Sequence, residues 1–140
     1  MSELNSKTAR TIVDAMLAAA AERNLRFTAA VVDSGGELLC FGRMDGASPL
    51  TARMAVNKAY TSAKWTQDTK ALKKRLFDHA LGTEIRDIAW FGDSRFTPIW
   101  GGVVLRGEDG TVMGALGGSG GTPDQDEELG QIGASHLAKS

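Results

Sequence analysis

The stretch FTAAVVDSGGELLCFGRMDGA, residues 27–47, decides the fold. Phe27-Thr28-Ala29-Ala30-Val31-Val32-Asp33 reads as a strand, and residues 37–43 read as a second. Between them lies Ser34-Gly35-Gly36, where glycine tolerates the tight backbone of a turn. Two apolar runs around a glycine pair predict a β-hairpin. Met44-Asp45-Gly46-Ala47 then ends the second strand in an Asp-Gly turn.

On the N-terminal side, residues 7–23 carry Ala9, Ile12, Val13, Met16, Leu17, Ala20 and Ala21. That spacing is one face of an amphipathic helix. On the other side, Ser48-Pro49 predicts an N-cap and a proline at the first helical position. The helix it opens runs to about Trp65, with Ala52, Ala55, Val56, Ala59 and Ala63 as its apolar face and Lys58 among them. Residues 67–98 are less regular. Lys70, Lys73, Lys74 and Arg75 give a solvated face against Leu72, Leu76 and Phe77, and Gly82 ends that helix. Trp90, Phe91, Phe96 and Trp100 follow in a short helix and loop.

Ile99–Leu105 and Thr111–Leu116 predict a second hairpin about Gly107-Glu108-Asp109-Gly110. Gly117-Gly118-Ser119-Gly120-Gly121 reads as a flexible loop. Thr122-Pro123-Asp124-Gln125 is a capping box opening a last helix over 123–138, which buries Leu129, Ile132 and Leu137. The order α-β-β-α-α-β-β-α predicts an antiparallel sheet with helices on its faces, an α+β fold or three-layer α/β/α sandwich. Residues 1–140 are expected to form one domain.

Composition excludes several classes. Sixteen basic residues against seventeen acidic ones give a net charge of −1 and no basic footprint for nucleic acid. No apolar run approaches the roughly 18 residues of a membrane span. No signal-peptide pattern opens the chain, so a cytoplasmic protein is expected. A single cysteine, Cys40, leaves no disulfide framework or paired-cysteine zinc site. His79 and His136 stand in no metal-binding spacing, so no metal is expected.

Four features carry possible chemistry. The glycine run before the last helix is either a crowded turn or an anion and ligand contact through exposed N–H groups. It is no P-loop, since no Lys-Ser/Thr follows. Arg43-Met44-Asp45-Gly46 is either an exposed turn or the charged lip of a pocket. Lys58 either snorkels, pairs with a carboxylate such as Asp45, or acts as a base with a lowered pKa. Trp65, Trp90, Phe91, Phe96 and Trp100 are either core or the wall of a pocket or subunit contact.

The runs Val31-Val32-Asp33, Gly35-Gly36, Phe41-Gly42-Arg43-Met44-Asp45-Gly46-Ala47 and Lys58-Ala59 resemble the HbpS/GlcG-like family, which includes the PduO C-terminal domain. Pro98-Ile99 with Gly101-Gly102 also matches. So do Gly114-Ala115-Leu116-Gly117 and Ser119-Gly120-Gly121-Thr122-Pro123 with Gln125-Asp126-Glu127. The likeness covers nearly the whole chain. It implies a profilin-like or roadblock-like sandwich around a five-stranded antiparallel sheet. It also implies homo-oligomers from dimers to octamers, and a ligand site near the Arg43–Ala47 turn and the glycine run. Some family members bind or degrade haem, some are corrinoid-associated, and others accompany the catabolism of small acids or aromatics.

The leading expectation is a cofactor-independent catabolic lyase or isomerase for a small aromatic or carbonyl-containing molecule. Asp45 or Lys58 would move the proton. Arg43 or the N–H groups of Gly118, Ser119, Gly120 and Gly121 would steady a developing oxyanion. Met44, Gly46, Trp90, Phe91, Phe96 and Trp100 would contact the substrate. The alternatives are a haem or other tetrapyrrole-binding protein and a non-catalytic scaffold. Haem requires an axial donor, for which the chain offers His79, His136, Cys40, Tyr60 and its methionines; only Met44 lies in a family motif.

Overall fold

The computed structural model describes residues 4–77 and 88–137, excepting the side chains of residues 89 and 90. The expected helix end at Gly82, the candidate ligand His79 and the side chain of Trp90 therefore lie outside the described residues. Elements run α1 (Ser6–Glu22), β1 (Thr28–Asp33), β2 (Leu38–Arg43), α2 (Pro49–Trp65), α3 (Thr69–Leu76), a 3-10 turn (Ile88–Phe91), β3 (Gly102–Arg106), β4 (Val112–Ser119) and α4 (Pro123–Ser135).

The two hairpins join through their inner strands into one antiparallel sheet of order β2-β1-β4-β3. It has four strands among the described residues, where the resemblance implies five. The mixed α/β class stands as expected. α1 and α4 pack on one face, where Ile12, Val13, Met16, Phe27, Leu116 and Leu129 form the main core. α2 lies along the other face over β1, β4 and β3, with α3 beside it.

Local chemistry sets the element ends. The Asn5 side chain caps α1 by accepting from Thr8 N at 2.9 Å. Thr122 and Gln125 form the reciprocal capping box of α4. Asp33 Oδ1 holds the first hairpin turn by accepting from Gly35 N and Glu37 N, at 2.9 and 3.0 Å. Asp68 stands at the N-cap of α3 without capping it; its Oδ1 accepts instead from Val104 N at 2.8 Å, tying α3 to the edge strand β3.

The structure corrects the flexible glycine loop. β4 continues through Gly117, Gly118 and Ser119, leaving only Gly120-Gly121 to turn. A Cβ on Gly117 would stand 2.0 Å from the Ala55 carbonyl oxygen, and one on Gly102 would stand 2.5 Å from that of Lys58. These glycines let the α2 backbone lie directly on the sheet. The apolar face of α2 is narrower than expected: Ala55, Ala59 and Ala63 are buried, while Ala52 and Val56 are half-buried. β3 begins at Gly102, three residues later than the expected start at Ile99.

Candidate functional site

One end of the sheet gathers most of the segments that the sequence singles out. Thr28 pairs with Arg43 on one side and with Ser119 on the other, and Gly102 pairs with Gly117. The Arg43–Ala47 turn, the Gly120-Gly121 turn, the start of α4 and the Ile99–Gly101 segment therefore share that end.

Lys58 sits beneath this end and is 1% exposed. Its Nζ donates to the Gly118 carbonyl at 2.8 Å and to Asp126 Oδ2 at 3.0 Å. Asp126 Oδ1 accepts from Gly121 N at 2.8 Å. The carboxylate partner of Lys58 is thus Asp126, not Asp45. Burial pulls the Lys58 ammonium below the usual lysine range and pushes Asp126 above the usual carboxylate range, while their mutual attraction opposes both shifts. A signal for Asp126 exists in the sequence: it falls on the same helical stripe as Leu129, Gly130 and Gly133, the buried side of α4.

The other expected groups have separate neighbours. Arg43 donates from Nε and Nη2 to the Ala47 carbonyl, at 3.1 and 2.8 Å, and so closes its own turn. Asp45 is exposed, and its carbonyl accepts from Arg26 Nη1 at 3.2 Å. A Cβ on Gly46, whose φ is +82°, would stand 2.3 Å from that same Arg26 atom. The Gly118 N–H is taken by the Gly101 carbonyl and the Gly121 N–H by Asp126. Ser119 is buried within β4, and Gly120 turns at a φ of +142°.

Two cavities lined by described residues open on this end. One, of about 460 Å³, is lined by Ala21, Asn24, Leu25, Arg26, Met44 and Asp45. The other, of about 360 Å³, is lined by Lys73, Ile99, Trp100, Pro123 and Asp124. They have no described lining residue in common, and neither lining includes Lys58 or the glycines 118–121.

Phe91 and Phe96 join neither lining. They pack on the later turns of α2, where both rings meet Trp65 edge-on at centroid distances of 4.8 and 5.7 Å and Phe96 stacks on Tyr60. Beside them Tyr60 donates its hydroxyl to Asp93, and Arg95 lies over the Tyr60 ring at 3.9 Å. This network, absent from the sequence reading, straps the 92–97 segment onto α2.

Residues 4–135 match the model of the HbpS-like family, described as haem-degrading protein HbpS-like, and the chain belongs to that family. A 15.0 kDa protein of Citrobacter freundii, from the dhaT–dhaS intergenic region, is 33% identical over 86% of this chain and 82% of its own. The crystal structure of Klebsiella pneumoniae protein ORFY superposes with a TM-score of 0.89 at 26% identity, covering 100% of this chain and 94% of that one. A double mutant of Streptomyces reticuli HbpS superposes with a TM-score of 0.81 at 26% identity, covering 96% and 87%.

The donor set can be tested against haem. An axial ligand and cations for the propionates are needed. The Tyr60 hydroxyl is engaged by Asp93, Cys40 is half-buried in β2, and His136 caps the C-terminus of α4. Met44 alone of these candidates lines a described cavity, and the Arg26 guanidinium lines it too. That pair fits the group. Among the described residues, no three His, Cys, Asp or Glu side chains are grouped to hold a free metal ion, and no helix is long and apolar enough to cross a membrane.

Proposed function

We propose that this protein binds haem or a related tetrapyrrole at the cleft of Met44. The observation that carries the reading is that Met44 and Arg26 line one cleft in a chain of the HbpS-like family. Met44 would offer a thioether donor to the group, Arg26 a fork of donors for its carboxylates, and Leu25 and Ala21 an apolar wall. Its volume of about 460 Å³ is within the range of cofactor sites. When bound, haem supplies iron-centred redox and oxygen chemistry. The protein's part is to hold the macrocycle edge, neutralise its carboxylates and limit water.

The cofactor-free lyase or isomerase would use Asp45 or Lys58 to move a proton at its substrate. Lys58 is buried against Asp126, and Asp45 is exposed, its carbonyl accepting from Arg26. The family description also favours haem over a protein without cofactor. The haem reading is tested by titrating haemin into the purified chain and its Met44→Ala variant, and following the Soret band. A saturable shift that Met44→Ala weakens supports it. Equal spectra in both proteins remove Met44 as the ligand.

Self-association belongs to the same reading. The edge strand β2 exposes Leu38 and Phe41 at 51% and 41%, and a second copy covering them would remove apolar surface from water. Phe41→Ser is expected to lower the mass measured by light scattering; an unchanged mass counts against this edge.

A further inference from the structure

The second cavity is unlike the Met44 cleft in both size and chemistry. At about 360 Å³ it lies at the small end of ligand sites, room for a single-ring molecule. Its walls are mainly apolar: Ile99, 45% exposed at the rim, the Trp100 indole and Pro123. α3 brings cations to one side. Lys70 Nζ stands 4.8 Å from the centroid of Trp100, and Lys73, one turn on, is in the lining. Asp124 is the one acid among the described lining residues, and it stands in the first turn of α4.

An apolar slot whose indole has the Lys70 ammonium 4.8 Å from its ring centroid suits a flat ring carrying one negative charge held on the Lys70 side, away from Asp124. The ring covers Ile99 and Trp100, which are otherwise wet. The charge meets Lys70 without being taken far from solvent, so the desolvation cost stays small. A neutral ring gains only the first contact. An aromatic ammonium with its ring against Trp100 and its charge on the Lys70 side gains the ring contact but faces a like charge, and reaching Asp124 instead turns it to the opposite edge.

We infer that the groove between α3 and the start of α4 binds a small aromatic monocarboxylate, its ring against Trp100 and its carboxylate toward Lys70. The site shares no lining residue with the Met44 cleft, so either can fail without deciding the other.

The test uses the full chain with benzoate as probe, and benzyl alcohol and benzylamine as controls. Binding is read by tryptophan fluorescence and by calorimetry. Benzoate is expected to saturate in the millimolar range or below, to bind at least about tenfold more tightly than either control, and to weaken as salt is raised. Lys70→Gln, an exposed substitution, is expected to erase the preference for benzoate over benzyl alcohol while leaving the melting temperature unchanged. Trp100→Leu is expected to weaken all three ligands, and Met44→Ala none. Absence of saturation, equal binding of the three probes, or preference for benzylamine overturns the inference. So does a Lys70→Gln protein that keeps the benzoate preference.

Discussion

Lys58 Nζ and Asp126 Oδ2 lie 3.0 Å apart, with side chains 1% and 5% exposed, and together they join the middle of α2 to the start of α4. The bond is made beneath the sheet end where both cavities open, and Asp126 also holds the Gly121 N–H. Removing one partner leaves a buried charge with no counter-ion. Lys58→Met and Asp126→Leu are each expected to lower unfolding stability by about 3–5 kcal/mol in urea titrations. The double variant should recover much of that loss, because neither charge then remains buried. Additive losses in the double variant would count against a coupled pair.

Gly117 tests the close approach of α2 to the sheet. An added methyl group meets the Ala55 carbonyl at 2.0 Å and the Ala59 nitrogen at 2.6 Å, both backbone atoms that cannot swing aside. Gly117→Ala is expected to cost about 2–3 kcal/mol or more. Gly110→Ala is the control, since nothing lies within 4 Å of its Cβ position; its cost comes only from a φ of +83°. A smaller loss at Gly117 than at Gly110 would refute the packing argument.

The strap between Tyr60, Asp93 and Arg95 titrates at both ends. Hydrogen bonds from Arg95 and then Tyr60 hold the Asp93 carboxyl well below its ordinary pKa of 3.8. Its stabilisation is therefore full above that value and is lost as pH falls toward the depressed pKa. The bond to Asp93 raises Tyr60 above its ordinary 10.0, so that contribution is full below pH 10.0 and is lost as alkali ionises the phenol. The protection of the Thr97 amide from exchange, relative to its intrinsic rate at each pH, should fall in strong acid and in alkali and stay high between, since its N–H is donated to Thr61 on α2. In Asp93→Asn the acid limb should disappear; an unchanged acid limb would place the titrating group elsewhere.

The hairpins were legible because their signals are local. Gly35-Gly36 and Gly107–Gly110 each sit between two apolar runs, and the caps at Ser48 and Thr122 mark helix starts at the residue before each helix. The glycines of β4 were not, because what they accommodate is the backbone of α2, some sixty residues earlier in the chain. The same distance hid the partner of Lys58. Asp45 was the nearer acid in sequence, whereas the strand pairing brings Asp126 to it. Of the expected site residues, Lys58 meets Gly118 directly and Gly121 only through Asp126, while Met44 and Trp100 line different cavities and Phe91 and Phe96 pack on α2.

The most direct measurement for the account is a haemin titration of the purified chain, followed at the Soret band and repeated with Met44→Ala and Arg26→Gln. The account predicts saturation at one haem per chain, an altered band position and weaker binding in Met44→Ala, and weaker binding with an unchanged band in Arg26→Gln. A titration with no saturable shift in the unaltered protein would contradict it.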